Sequence, residues 1–109
     1  MKYVKAARKD ELPVGAKQMV TLEGQTLLLA NIAGKIFAIN NRCPHMGGSL
    51  YDGQIVGDTV VCPKHKTVFS IRTGKVVRNG HIAFIQLKVN DAKTYPVKLE
   101  GNDILVDIE

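Results

Sequence analysis

The sequence predicts an all-β domain, and three observations carry that prediction. Ten glycines punctuate the 109 residues. The segments between them are short and rich in β-branched or alternating apolar residues, and a helical period is nowhere sustained. At 45% hydrophobic and 23% charged, with no low-complexity tract, the chain has an ordinary globular composition. Its length suits one domain with its own core, so residues 1–109 are expected to fold as a single unit: a β-sandwich base into which a small β subdomain, approximately residues 42–78, is inserted.

Each element follows from local pattern. Tyr3 to Ala7 is a first strand, Glu11-Leu12-Pro13-Val14-Gly15 a turn, and Gln18 to Leu22 the next strand. A hairpin at Glu23-Gly24-Gln25 leads to Thr26 to Ile32, which pairs with Lys35 to Ile39 across Ala33-Gly34. Strand alternation then places Ile36 and Ala38 on one face and Phe37 and Ile39 on the other. Asp52-Gly53 and Gly57-Asp58 bracket a strand at Gln54 to Val56, with Thr59 to Val61 after it. Val68 to Ile71 and Lys75 to Val77 form a hairpin over Arg72-Thr73-Gly74. Ile85, Leu87 and Val89 alternate with polar residues as a half-buried strand would, and His81 is placed at a hairpin tip made by Asn79-Gly80. Thr94 to Leu99 and Ile104 to Ile108 complete a terminal hairpin about Glu100-Gly101-Asn102.

Both cysteines lie in one stretch and share a pattern. Cys43-Pro44-His45 and Cys62-Pro63-Lys64-His65 each set a cysteine shortly before a histidine, with sixteen residues between His45 and Cys62. A single zinc ion usually takes pairs separated by two to four residues, and Cys43 and His45 are closer than that. Two adjacent metal ions suit the pattern better, each loop giving a thiolate to one iron and an imidazole to the other, which is the two-Cys, two-His ligation of a Rieske 2Fe-2S centre. Structural zinc, a disulfide between Cys43 and Cys62, and two buried thiols beside surface histidines are the competing readings. The disulfide and buried-thiol readings leave unexplained why a Pro and a nearby His follow both cysteines.

Cys43-Pro44-His45-Met46-Gly47-Gly48-Ser49-Leu50 followed by Cys62-Pro63-Lys64-His65 resembles the two boxes of the Rieske iron-sulfur proteins, and the likeness takes in most of the flanking chain. It implies one 2Fe-2S cluster held by Cys43, His45, Cys62 and His65, with no catalytic residue. It also implies a soluble ferredoxin that passes single electrons from a reductase to a terminal oxygenase such as a ring-hydroxylating dioxygenase. The alternatives are the small subunit of a larger redox enzyme such as nitrite reductase, and a zinc-stabilised interaction module. Two thiolates leave an oxidised cluster neutral where four would leave it at about −2, so the potential should fall in the roughly −150 to +300 mV range of such centres. Pro44 and Pro63 lack N–H groups, and the amides of His45 to Gly48 and Lys64 to Thr67 are expected as donors toward sulfur. Gly47 and Gly48 either let main chain approach the cluster or only make the turn.

The chain departs from the family in two places. Ferredoxin-type relatives usually carry a proline-containing lid loop after the second box, and the stretch from Asn79 to Phe84 has no proline. High-potential members bear a third and fourth cysteine and, two and four residues after the second histidine, Ser and Tyr. Here those offsets hold Thr67 and Phe69, so one hydroxyl position is kept and the other is lost.

Formal net charge is +5 with a pI near 9.4. A basic helix, a Lys/Arg block and an aromatic stripe are all missing, which argues against nucleic acid and toward steering of an acidic redox partner. Aliphatic runs reach about four residues against the roughly 18 of a membrane span, and no secretory signal is recognisable. Two cysteines used as ligands, with none to spare, suit the cytoplasm.

Overall fold

A computed structural model describes residues 1–44, 48–64, 66–82, 85–86 and 89–109, with 81, 82 and 86 described by backbone alone. Among these the strands are β1 (Tyr3–Arg8), β2 (Lys17–Leu22), β3 (Gln25–Ile32), β4 (Lys35–Asn40), β5 (Gln54–Val56), β6 (Thr59–Val61), β7 (Val68–Ser70), β8 (Val76–Arg78), β9 (His81–Ile82), β10 (Ile85–Gln86), β11 (Thr94–Tyr95), β12 (Val97–Glu100) and β13 (Asp103–Asp107). Single 3-10 turns occupy Lys9–Glu11 and Leu50–Asp52. The strands build a sheet of order β11-β4-β3-β2, a sheet β1-β13-β12, a sheet β5-β6-β7-β8 and a ribbon β9-β10. The expected all-β class holds, and no helix among the described residues is long and apolar enough to cross a membrane.

The β2-β3-β4 meander is set by two tight turns. Glu23-Gly24 and Ala33-Gly34 both adopt positive φ at each residue (48° and 82°, 55° and 98°). That is the primed turn geometry whose twist matches the flanking strands, so the hairpins expected at these positions form with two-residue loops. Period-two alternation then divides β3 between two cores. Leu27 and Leu29 pack with Ile36, Ala38, Tyr95, Ile104 and Val106 on the side of the β1-β13-β12 sheet. Leu28 and Ala30 pack with Ile39, Leu50, Val60, Phe69 and Ile71, together with both cysteines. The central sheet is therefore a partition, apolar on both faces.

Three expectations near the C-terminus are corrected. Thr94 to Leu99 is not one strand: Thr94 and Tyr95 pair with Ile39 and Ala38 of β4, whereas Val97 to Glu100 pair with β13. Pro96 stands at the break, where a residue without an N–H and with fixed φ lets the chain leave one sheet for the next. His81 is not at a hairpin tip but is the first residue of β9, opposite Gln86. Asn79-Gly80 precedes that strand, and the Gly80 N–H donates to Thr67 Oγ1 at 3.1 Å. The strand expected to reach Val89 covers only Ile85–Gln86 among the described residues, and Ile85 is 59% exposed. Val89 is half-buried against the core that holds both cysteines, whereas Ile85 lies on a ribbon that pairs with no third strand among the described residues. Leu87 lies outside the described residues.

The chain ends are tied through Asp107. Its buried carboxylate accepts the Lys2 N–H at 2.9 Å and the Glu109 N–H at 3.1 Å, while Ile108 N–H donates to Lys2 O. The two amide bonds, Lys2 first, hold the carboxyl below its usual range against the opposing effect of burial. A depressed folded-state pKa means stability present above the unfolded value, about 3.9, and lost as pH falls through the lowered folded value. Asp107→Asn should melt earlier than the parent at neutral pH, with a deficit that narrows below about pH 4. Melting curves across pH 2 to 7 check this, and a deficit constant over that range would contradict it.

Candidate metal centre

Two loops bring the cysteines to one place. The first leaves the end of β4, and the second connects β6 to β7. Cys43 and Cys62, each 1% exposed, lie in the same apolar core. They are not joined to each other as a disulfide. The loops close alike: Cys43 N–H donates to Gly48 O, and Cys62 N–H donates to Thr67 O, both at 2.8 Å. An isolated bridge between Arg42 and Ser49 braces the first loop. In the second, Lys66 N–H donates back to Cys62 O at 3.1 Å, with Lys66 in the left-handed region at φ 66°. That bond corrects one expectation, since the Lys66 amide is committed to the loop's own backbone and is not available to sulfur. Left-handed backbone at a residue with a Cβ carries strain of about 1 kcal/mol or more, the kind of local strain found at functional loops.

The loops meet at Gly48. A Cβ built there would stand 2.7 Å from Lys64 Cγ and 3.3 Å from Cys62 Sγ. Gly48 does not have positive φ, so the turn does not demand glycine. What demands it is the space taken by the other box, and close approach is the better account of this residue. His45, Met46, Gly47 and His65 lie outside the described residues.

Two residues that the sequence did not single out hold the first loop in place. Asn41, buried, donates from Nδ2 to Ser49 Oγ at 2.9 Å and accepts the Tyr51 N–H on Oδ1 at 2.8 Å. Its own carbonyl takes the Leu50 N–H. Lys17, at the start of β2, reaches across from the base: its Nζ donates to Tyr51 O and to Gly53 O, the latter at 2.9 Å, and lies 4.8 Å from the centre of the Tyr51 ring. In sequence Asn41 looks like a turn residue and Lys17 like one more solvated lysine, and nothing local distinguishes them. Hydrogen bonds to a charged group contribute about 1.5 to 3 kcal/mol, and these two are only partly buried, which lowers that figure. Lys17→Met should therefore lose about 1 to 2 kcal/mol in chemical denaturation. An unchanged midpoint would show that the clamp is ornamental.

The positions that follow the second box are also placed. Thr67 is buried and its hydroxyl oxygen accepts the Gly80 N–H, so this loop anchors the segment entering β9. Phe69 is fully buried in the core that contains both cysteines, opposite Val60 on β6 and Val76 on β8. A pair of soft sulfur donors, withdrawn from water and held by loops in van der Waals contact, is a donor set that fits an iron-sulfur cluster.

Comparison with known proteins agrees. A family described as the Rieske [2Fe-2S] domain matches residues 2–96. The chain is 34% identical over 107 residues to the ferredoxin component of the naphthalene 1,2-dioxygenase system of Pseudomonas aeruginosa, covering 98% of this chain and 96% of that one. It is 35% identical over 108 residues to the biphenyl dioxygenase ferredoxin subunit of a Pseudomonas species, covering 98% and 93%. Among solved structures, the ferredoxin of carbazole 1,9a-dioxygenase from Nocardioides aromaticivorans superposes with a TM-score of 0.81 at 26% identity, covering 97% of each chain. The chain thus belongs to the Rieske [2Fe-2S] domain family, as a ferredoxin-type electron carrier with one such cluster.

Proposed function

We propose that Cys43 and Cys62 hold one iron of the cluster and His45 and His65 the other, and that the protein carries single electrons from a reductase to the terminal oxygenase of a dioxygenase system. The observation that supports this most is the contact of the two boxes at Gly48, which sets the first loop against Cys62 Sγ. Its relatives' names supply the setting: both are ferredoxin components of dioxygenase systems. The bound cluster supplies one reversible electron at a potential within roughly −150 to +300 mV.

The chain's own residues do the rest. Leu28, Leu50, Val60 and Phe69 keep water from the buried sulfurs, which lowers the local dielectric and limits rearrangement when charge changes. Amide-closed loops and the Lys17 and Asn41 bonds fix the main chain that carries Cys43 and Cys62. We read residues 1–109 as a single domain whose cluster-binding part is 42–78, working in the cytoplasm, where the cysteines are needed as ligands and not for disulfides.

Purified protein should be coloured, with ferric-sulfide absorption that bleaches on dithionite and an EPR signal that appears with it. A colourless protein containing stoichiometric zinc would replace this reading with a structural module.

A further inference from the structure

Charge is distributed unevenly along the chain. Residues 42–78 carry six Lys or Arg against two Asp or Glu, whereas the remainder carries nine against eight. One of the two acids, Asp58, is paired with Arg72 at 3.0 Å. Four of the six cations gather at the ligand loops. Arg42 adjoins Cys43 and is bridged to Ser49. The stem of Lys64 lies against Gly48 of the facing loop. Lys66 follows the second box, and Arg78 pairs with Val68 where β7 leaves that box.

All four are exposed, and none has an ion-pair partner among the described residues, although four such pairs form elsewhere. Each loop also carries an exposed apolar ring beside these cations in the chain, Pro44 two residues after Arg42 and Pro63 next to Lys64. An apolar centre inside a charged rim is the anatomy of a transient protein interface. A solvated face would be expected to intersperse both signs, as the β1-β13-β12 sheet does with Lys5 on Asp103.

We propose that Arg42, Lys64, Lys66 and Arg78 form a docking collar around Pro44 and Pro63, and that the redox partner meets it with a carboxylate-rich face. The inference rests on reading these loops as the cluster site. Unpaired cations on a rim act mainly on association rate, raising it by roughly 10 to 1,000-fold at low salt for an oppositely charged partner.

The test uses the reduced holoprotein and two one-electron protein acceptors of opposite charge, acidic plastocyanin and basic cytochrome c, followed by stopped flow. Oxidation by plastocyanin should slow as salt rises, and oxidation by cytochrome c should quicken. Lys64→Glu with Lys66→Glu should slow the plastocyanin reaction about tenfold at low salt, while Lys9→Glu with Lys98→Glu on the base leaves it within about twofold. If the first pair disturbs the visible spectrum, Arg42→Glu with Arg78→Glu should give the same slowing.

Equal salt dependence for both acceptors, or equal effects of collar and base pairs, overturns the collar. An intact spectrum in those variants leaves the cluster assignment standing, so the two failures are distinguishable. Tight binding of a duplex oligonucleotide at physiological salt, without preference for plastocyanin, also overturns it, in favour of a nucleic-acid surface.

Discussion

Cys43→Ala, His45→Ala and His65→Ala should each abolish the visible absorption and the reduced-state EPR signal, and each should lower the melting temperature of the protein as isolated. Metal binding to such loops is also folding free energy, because the site does not exist in the unfolded chain. Cys43 makes the most informative of these changes. Its N–H closes the loop onto Gly48 O, and alanine keeps that backbone bond while removing the sulfur. Lost colour with a retained fold then reports ligation and not collapse.

The base should survive, since the core of Leu27, Leu29, Ile104 and Val106 contains neither cysteine. Far-ultraviolet circular dichroism of the colourless variant should accordingly retain β structure. Lys64→Ala, inside the second box but with no assigned metal bond, should keep its spectrum. Full colour in any of the three ligand variants would remove that residue from the metal.

Gly74→Ala is expected to be the most damaging single change outside the ligands. Gly74 has φ 77°, and a Cβ there would fall 2.0 Å from Ala92 O and 3.0 Å from Ala92 C. Backbone cannot yield as a side-chain end can. The same glycine donates its N–H to Ser70 O and accepts the Ala92 N–H, so the clash falls where the β7-β8 turn is stitched to the segment before β11. Gly101 is the control: φ is 61°, and nothing lies within 4 Å of its Cβ position.

Gly101→Ala should cost only the left-handed backbone term, about 1 to 2 kcal/mol. Gly74→Ala adds displacement of main chain and should cost about 4 kcal/mol or more, a large share of the 5 to 15 kcal/mol that holds a domain together. Chemical denaturation of the two variants side by side measures the difference. Equal losses would mean that the segment at Ala92 moves aside freely.

How far these features were legible in the sequence depends on their range. Turn chemistry is local, so Glu23-Gly24 and Ala33-Gly34 declared their hairpins, and alternation placed Ile36 and Ala38 opposite Phe37 and Ile39 as found. The boxes were legible because residue type and spacing coincide at both, and they led to the family that the comparisons bear out. What stayed hidden is set by partners distant in sequence. Pro96 divides a strand between sheets, which appears only once β4 and β13 are both present to claim its halves. The alternation of Ile85 with its neighbours looked like one half-buried strand, yet Val89 meets the core while Ile85 stays exposed on a two-stranded ribbon. Lys17 and Asn41 owe their roles to carbonyls and amides some nine to thirty-six residues away. No spacing rule reaches that far.

The partition formed by β3 has a consequence for how this chain can change over generations. Along Leu27-Leu28-Leu29-Ala30, neighbouring side chains belong to different interiors, all four wholly withdrawn from solvent. A substitution at Leu28 or Ala30 alters the packing behind the cysteines, and one at Leu27 or Leu29 alters the base, although the altered atoms share one strand of main chain. Alternate codons in this run of four are thus under separate constraints. Tuning of the redox half can proceed by drift at every second position of that strand while the supporting half keeps its fit.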